Sequence, residues 1–78
     1  KNLRVGITTS KKIGNAVLRN RSRRVIREAF RGLADRVRPG TDLVFVARGK
    51  TPYVKSTEVL RHMERQLSAA GLFREDKP

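Results

Sequence analysis

The stretch from Ala16 to Val37 constrains this chain more than any other. It holds no proline and a single glycine, Gly32, with Asn15 as a good N-cap ahead of it and Pro39-Gly40 as a firm stop behind. It reads as one helix of roughly six turns. Placed at about 100° per residue, Leu18, Val25, Ile26, Ala29, Phe30, Leu33 and Val37 share one arc of about 140°. Asn20, Arg23, Arg24, Arg27, Arg31 and Arg38 take the opposite arc, with Arg21, Glu28 and Asp35 on one flank. Arg19 falls in the apolar sector, but in the first turn, where it can reach past the edge of what the helix covers. The apolar stripe needs a sheet or a second helix against it.

The flanking segments supply both. Leu3, Val5 and Ile7 alternate with Arg4, Gly6 and Thr8, the period-two pattern of a half-buried strand over 3–9. Ser10-Lys11-Lys12-Ile13-Gly14 reads as a short basic loop into the helix. The continuous apolar run Leu43-Val44-Phe45-Val46-Ala47 suits a central strand covered on both faces, within 41–48. After a turn at Gly49 to Pro52, a second helix starts between Thr51 and Ser56, carries Leu60, Met63, Leu67 and Ala70 at helical spacing, and ends at Gly71. Strand, long helix, strand, helix is an α/β order in which the long helix crosses over between two parallel strands.

Seventy-eight residues make one small domain, and Lys and Arg number nineteen against seven Asp and Glu, a net charge of +12. The charge is lopsided: residues 1–38 hold twelve basic and two acidic residues, whereas residues 39–78 hold seven and five. Arg19, Arg21, Arg23, Arg24 and Arg27 crowd into nine residues that contain no lysine. Like charges on facing turns cost about 0.2–0.5 kcal/mol per pair, a cost that Glu28 relieves in part through Arg24 and Arg31. Guanidinium forks hold phosphate oxygens bidentately and stack on bases, which an ammonium does not, so the pattern points to nucleic acid. Ser10, Lys11 and Lys12, with Gly14 and Asn15, stand at a helix N-terminus where a phosphate could dock, although Gly-Asn before a helix equally serves plain turn and cap chemistry.

Zero cysteines exclude a disulfide framework and Cys-ligated metal, and a lone histidine, His62, offers no metal cage. His62 is expected at the surface of the second helix. No run is long and apolar enough for a membrane span, which points to the cytoplasm. Of four aromatics, Phe30 and Phe45 lie in apolar patterns and belong to the core, while Tyr53 and Phe73 are open to either a packing or a stacking role. So few rings disfavour a binder that relies mainly on stacking.

The string from Val5 to Arg31, with its strand, Ser-Lys-Lys loop, Gly-Asn-Ala-Val and Arg19-Asn20-Arg21 opening a long basic helix, closely resembles the protein subunit of bacterial ribonuclease P. The strand Asp42 to Arg48 is similar to that family's central strand. The resemblance implies an α+β, two-layer sandwich of the ribosomal protein S5 domain 2-like type, with a left-handed βαβ crossover against the general right-handed preference. It implies a role assisting a catalytic RNA that removes 5′ leaders from precursor tRNA, with Mg²⁺ acting at the RNA and no cofactor held by the protein alone. Ser10, Lys11, Lys12, Arg19, Asn20, Arg21, Arg23, Arg24, Arg27 and Arg31 are the expected RNA contacts, with no catalytic residue among them. The family carries an additional helix and one or two strands upstream, so residues 1–78 are expected to be a single domain lacking those elements, with leader contacts unassigned and apolar sheet surface left open to self-association. A ribosomal-type structural RNA binder, a basic amphipathic membrane binder and a protein-only nuclease are the competing classes. The first shares the arginine ridge, the second is weakened because the apolar arc is needed to cover a sheet, and the third lacks a pair of acids beside the basic face.

Overall fold

The computed structural model describes residues 3–74. Strand β1 (Arg4–Thr8) and strand β2 (Asp42–Val46) form a two-stranded parallel sheet, joined by helix α1 (Ala16–Arg31) and followed by helix α2 (Ser56–Ala69). In the register Arg4 faces Asp42, Gly6 faces Val44 and Thr8 faces Val46, while Val5 and Ile7 pair with Leu43 and Phe45. Because side chains alternate across a sheet, this register sorts Val5, Ile7, Leu43 and Phe45 onto one face. Ile7, Leu43 and Phe45 pack there against a core of Ile26, Ala29, Phe30, Leu33 and Val37, joined by Ile13, Ala47, Met63 and Leu67. The rings of Phe30 and Phe45 meet at 5.5 Å with their planes tilted by 55°, a favourable geometry for an aromatic pair.

The helix is shorter than the pattern predicts. It ends at Arg31, where Gly32 takes the C-cap and Leu33 N–H donates to Phe30 O at 2.8 Å, and a separate 3-10 turn covers Ala34–Arg36. Leu33 and Val37 still reach the core, so the apolar stripe continued beyond the helical backbone. The glycine at this cap also suits the packing: a Cβ on Gly32 would stand 2.8 Å from Leu60 Cδ1 of α2.

The central-strand reading is also corrected. Val44 and Val46 are 66% and 68% exposed, because among the described residues the sheet has two strands and the core packs on the opposite face, that of Leu43 and Phe45. An unbroken apolar run therefore does not mark a doubly covered strand here. β1 runs over five residues rather than seven, although Arg4 N–H to Thr41 O and Ala47 N–H to Thr8 O, each 3.0 Å, continue the pairing at its ends. The second helix begins in two stages: Thr51–Tyr53 form a 3-10 turn with Pro52 buried, and α2 starts at Ser56, with Lys55 at the cap position.

After Gly71, at φ 71°, the chain turns back and Phe73 bridges Val37 in antiparallel fashion. Arg38 N–H donates to Leu72 O at 2.9 Å and Arg74 N–H to Arg36 O at 2.6 Å. No local sequence pattern marks this pairing. The Arg36 guanidinium lies 4.3 Å from the Phe73 ring centre and bonds Glu64 at 2.8 Å, tying this return segment to α2.

Candidate nucleic-acid interface

The interface is built from the entry to α1 onward. Ser10 Oγ accepts from Lys12 N–H at 3.3 Å and starts a 3-10 turn at Lys11–Ile13, whose buried Ile13 fixes the turn to the core. Gly14 follows at φ 135° and ψ −148°, a backbone region essentially reserved for glycine. A Cβ at Gly14 would also lie 2.6 Å from Leu18 Cδ1. Asn15 Oδ1 then accepts from Leu18 N–H at 3.0 Å, so the loop-to-helix junction is cap chemistry. Ser10, Lys11 and Lys12 are exposed beside it.

Within α1 the expected contact residues divide into two sets. Arg19 is half-buried and its Nη1 donates to Gly14 O at 2.8 Å, which locks the loop to the first helical turn. Arg23 is half-buried too, with Nη1 on Asn20 Oδ1 at 2.8 Å and Nη2 on Thr9 Oγ1 at 3.2 Å. These two arginines shape the surface while keeping some donors for a partner. Arg21, Arg24, Arg27 and Arg31 are exposed, and among the described residues none makes an ion pair. Glu28 does not reach Arg24 or Arg31 within ion-pair distance, contrary to the expected relief; the one described pair is Arg36–Glu64.

Three of the exposed arginines share one trough with Arg23, and Arg21 lies outside it. Asn20, Arg23, Arg24, Arg27, Glu28 and Arg31 line a trough of about 430 Å³ along the helix. A smaller cleft of about 230 Å³ opens between β1 and α1, with Val5, Ile7 and Phe30 as its apolar floor and Arg23, Arg27 and Arg31 on its rim. Ser22 is the polar residue that sequence reasoning passed over: it is fully buried, and its Oγ bonds Leu18 O at 3.0 Å. A small residue there, between apolar positions 18, 25 and 26, is the signal that marks close packing beneath the arginines.

Chemically, an exposed row of guanidinium groups suits polyanions. Among the described residues no three His, Asp or Glu side chains come together to hold a metal ion. His62 is exposed on α2, away from the arginine trough lining. No helix among the described residues is long and apolar enough to cross a membrane.

Comparison with known proteins identifies relatives of this chain. Residues 1–71 match the Ribonuclease P family model. The chain is 48% identical over 60 residues to the ribonuclease P protein component of Syntrophus aciditrophicus, covering 77% of this chain and 50% of that one. It is 42% identical over 72 residues to the component from Caldanaerobacter subterraneus subsp. tengcongensis, covering 92% and 62%. The Staphylococcus aureus RNase P protein structure superposes with a TM-score of 0.73 at 34% identity, covering 94% of this chain and 66% of that one. The chain thus spans about half to just under two thirds of the length of these curated relatives. With the family model matched over residues 1–71 and the same α+β fold as the S. aureus protein, the chain belongs to the ribonuclease P protein family.

Proposed function

We propose that this chain is an RNA-binding partner of the catalytic RNA of ribonuclease P, and that it assists removal of 5′ leaders from precursor tRNA. The observation that carries the reading is the row of Arg21, Arg24, Arg27 and Arg31, exposed on a rigid helix without described carboxylate partners. Facing positions on a helix stand about 5–6 Å apart, so the row offers a line of forks to successive phosphates. Each phosphate it neutralises releases condensed counterions, which drives association. Ser10, Lys11 and Lys12 extend the row at its N-terminal end, and Asn20, Arg19 and Arg23 hold its geometry and lend their remaining donors.

In this reading the RNA performs the cleavage together with Mg²⁺, and the protein lowers the Mg²⁺ needed by neutralising phosphate repulsion between catalytic RNA and substrate. The chain's own acids do not form a metal cage among the described residues, so no step is assigned to a protein-held ion. The work takes place in the cytoplasm, where precursor tRNA is met, with no membrane partner. The likeness to the S. aureus protein supports a single-domain, two-layer, ribosomal protein S5 domain 2-like fold with a left-handed crossover from β1 through α1 to β2.

Reconstitution tests the proposal. Precursor tRNA cleavage by a bacterial ribonuclease P RNA at low Mg²⁺ is expected to rise when this polypeptide is added, with no cleavage by the polypeptide alone. Equal rates with and without it would overturn the reading. RNA pulled down from cells that proved to be ribosomal would favour a structural RNA binder.

A further inference from the structure

Beyond the α1 trough, the basic surface continues into a second cleft, of about 620 Å³, between α1 and the segment from Pro52 to Thr57. Arg24 and Glu28 line both, so the two are contiguous. Of the four aromatic side chains, Phe30 and Phe45 pack together and Phe73 is covered by Arg36, while Tyr53 stands 69% exposed in this cleft. Its ring is held out by a firm turn. Tyr53 N–H donates to Lys50 O at 2.8 Å, Arg48 N–H donates to Thr51 Oγ1 at 2.8 Å, and the neighbouring Pro52 is buried.

We infer that this cleft holds a nucleotide of the RNA bound along α1, its base stacked on Tyr53 and its phosphate held by Arg21, Arg24 and Lys55. The inference rests on the RNA-binding reading of α1 and adds a specific subsite to it. The volume lies within the roughly 300–1,000 Å³ range of small-ligand sites, and a base has the planar face that an exposed ring can stack against. Glu28, on the same lining, repels any phosphate or carboxylate set against it but accepts a hydrogen bond from an exocyclic amine or a ribose 2′-hydroxyl, so it suits the base and sugar edge of a nucleotide. The hydroxyls of Ser56 and Thr57 line the same wall and supply further polar partners.

The chain provides its own reporter, since Tyr53 is its single tyrosine and tryptophan is absent. Titration of the full chain with a bacterial ribonuclease P RNA transcript, corrected against a free tyrosine amide in the same RNA, is expected to quench tyrosine emission saturably. Tyr53→Ala is expected to weaken binding about 5- to 150-fold with an unchanged salt slope, and Tyr53→Phe to stay within about threefold of the parent because the ring remains. Arg24→Ala should instead lower the slope by about 0.7–0.9. If Arg24→Ala and Arg27→Ala weaken binding but Tyr53→Ala does not, or emission is unmoved at saturation, the subsite is overturned while the α1 reading stands. If none of the three variants weakens binding, the α1 reading itself falls. Quenching by a polyglutamate peptide that matches the RNA would overturn the nucleotide in favour of an acidic protein.

Discussion

Helices α1 and α2 are sixteen and fourteen residues long, and each buries a stripe in the same core. They treat charge in opposite ways. α2 interleaves Glu58, Arg61, Glu64 and Arg65, which cancel, and Glu64 reaches across to Arg36. α1 sets six arginines against Glu28 alone, and Glu28 engages none of them within ion-pair distance among the described residues. The half-exposed Arg36–Glu64 pair contributes little to stability, as surface pairs do, so the contrast is not one of a stable helix and an unstable one. It separates a helix whose charges balance one another from one whose cations are left unbalanced among the described residues.

The most direct way to break that contrast is to strip both helices of cations and compare RNA binding. Replacing Arg24, Arg27 and Arg31 together by Ala is expected to weaken binding to ribonuclease P RNA about 10²-fold near 0.1 M salt and to reduce the salt slope by about 2–3. Arg61→Ala with Arg65→Ala on α2 should change affinity less than about threefold and leave the slope alone. Filter binding across a salt series measures both. Equal losses from the two helices would mean that net charge, and not the α1 row, carries the interaction.

The entries to the two helices differ as well. α1 is preceded by a glycine in a backbone region closed to other residues and by the Asn15 cap, whereas Lys55 at the α2 cap position makes no side-chain cap bond. Gly14→Ala forces a Cβ toward Leu18 and into a disfavoured region, and is expected to cost about 1–3 kcal/mol in urea unfolding. Lys55→Ala should stay within about 0.5 kcal/mol. A Gly14→Ala chain as stable as the parent would show that the junction is soft and that Lys11 and Lys12 are not held in place.

These differences also show what the residues could disclose in advance. The alternation at Leu3, Val5 and Ile7 and the 3.6-residue spacing from Leu18 to Phe30 are local signals, and they placed β1, α1 and most of the core. The end of α1 was marked locally only by Gly32, its C-cap, and the apolar stripe that runs on to Val37 masked that signal. The exposed faces of Val44 and Val46 depend on how many strands the sheet has and where the helices sit, which a five-residue apolar run does not encode. At the interface, the arginine positions were legible from charge and spacing. The inward hydrogen bonds of Arg19 and Arg23 were not, because they depend on where the 10–15 loop passes.

The smallest effect is the most telling in sign. On α1, Arg27 faces Arg23, Arg24 and Arg31 at three- or four-residue spacing and lies beside no acid at those spacings. Like pairs of this kind each cost a few tenths of a kcal/mol. Removing the guanidinium in Arg27→Ala should therefore stabilise the RNA-free chain at low ionic strength, by about 0.5–1 kcal/mol, even as it weakens RNA binding. Loss of the stem that rims the cleft beneath it works in the other direction and trims the gain. Sulfate or citrate, which bind the folded arginine face, should stabilise the parent more than the variant and so close the gap. On α2, Arg61 has Glu58 and Glu64 at three-residue spacing against Arg65 at four, so Arg61→Ala removes more attraction than repulsion and should not stabilise. Urea midpoints in dilute buffer, with and without sulfate, decide it: an Arg27→Ala chain less stable than the parent in both conditions would mean that the arginines are neutralised within the chain after all.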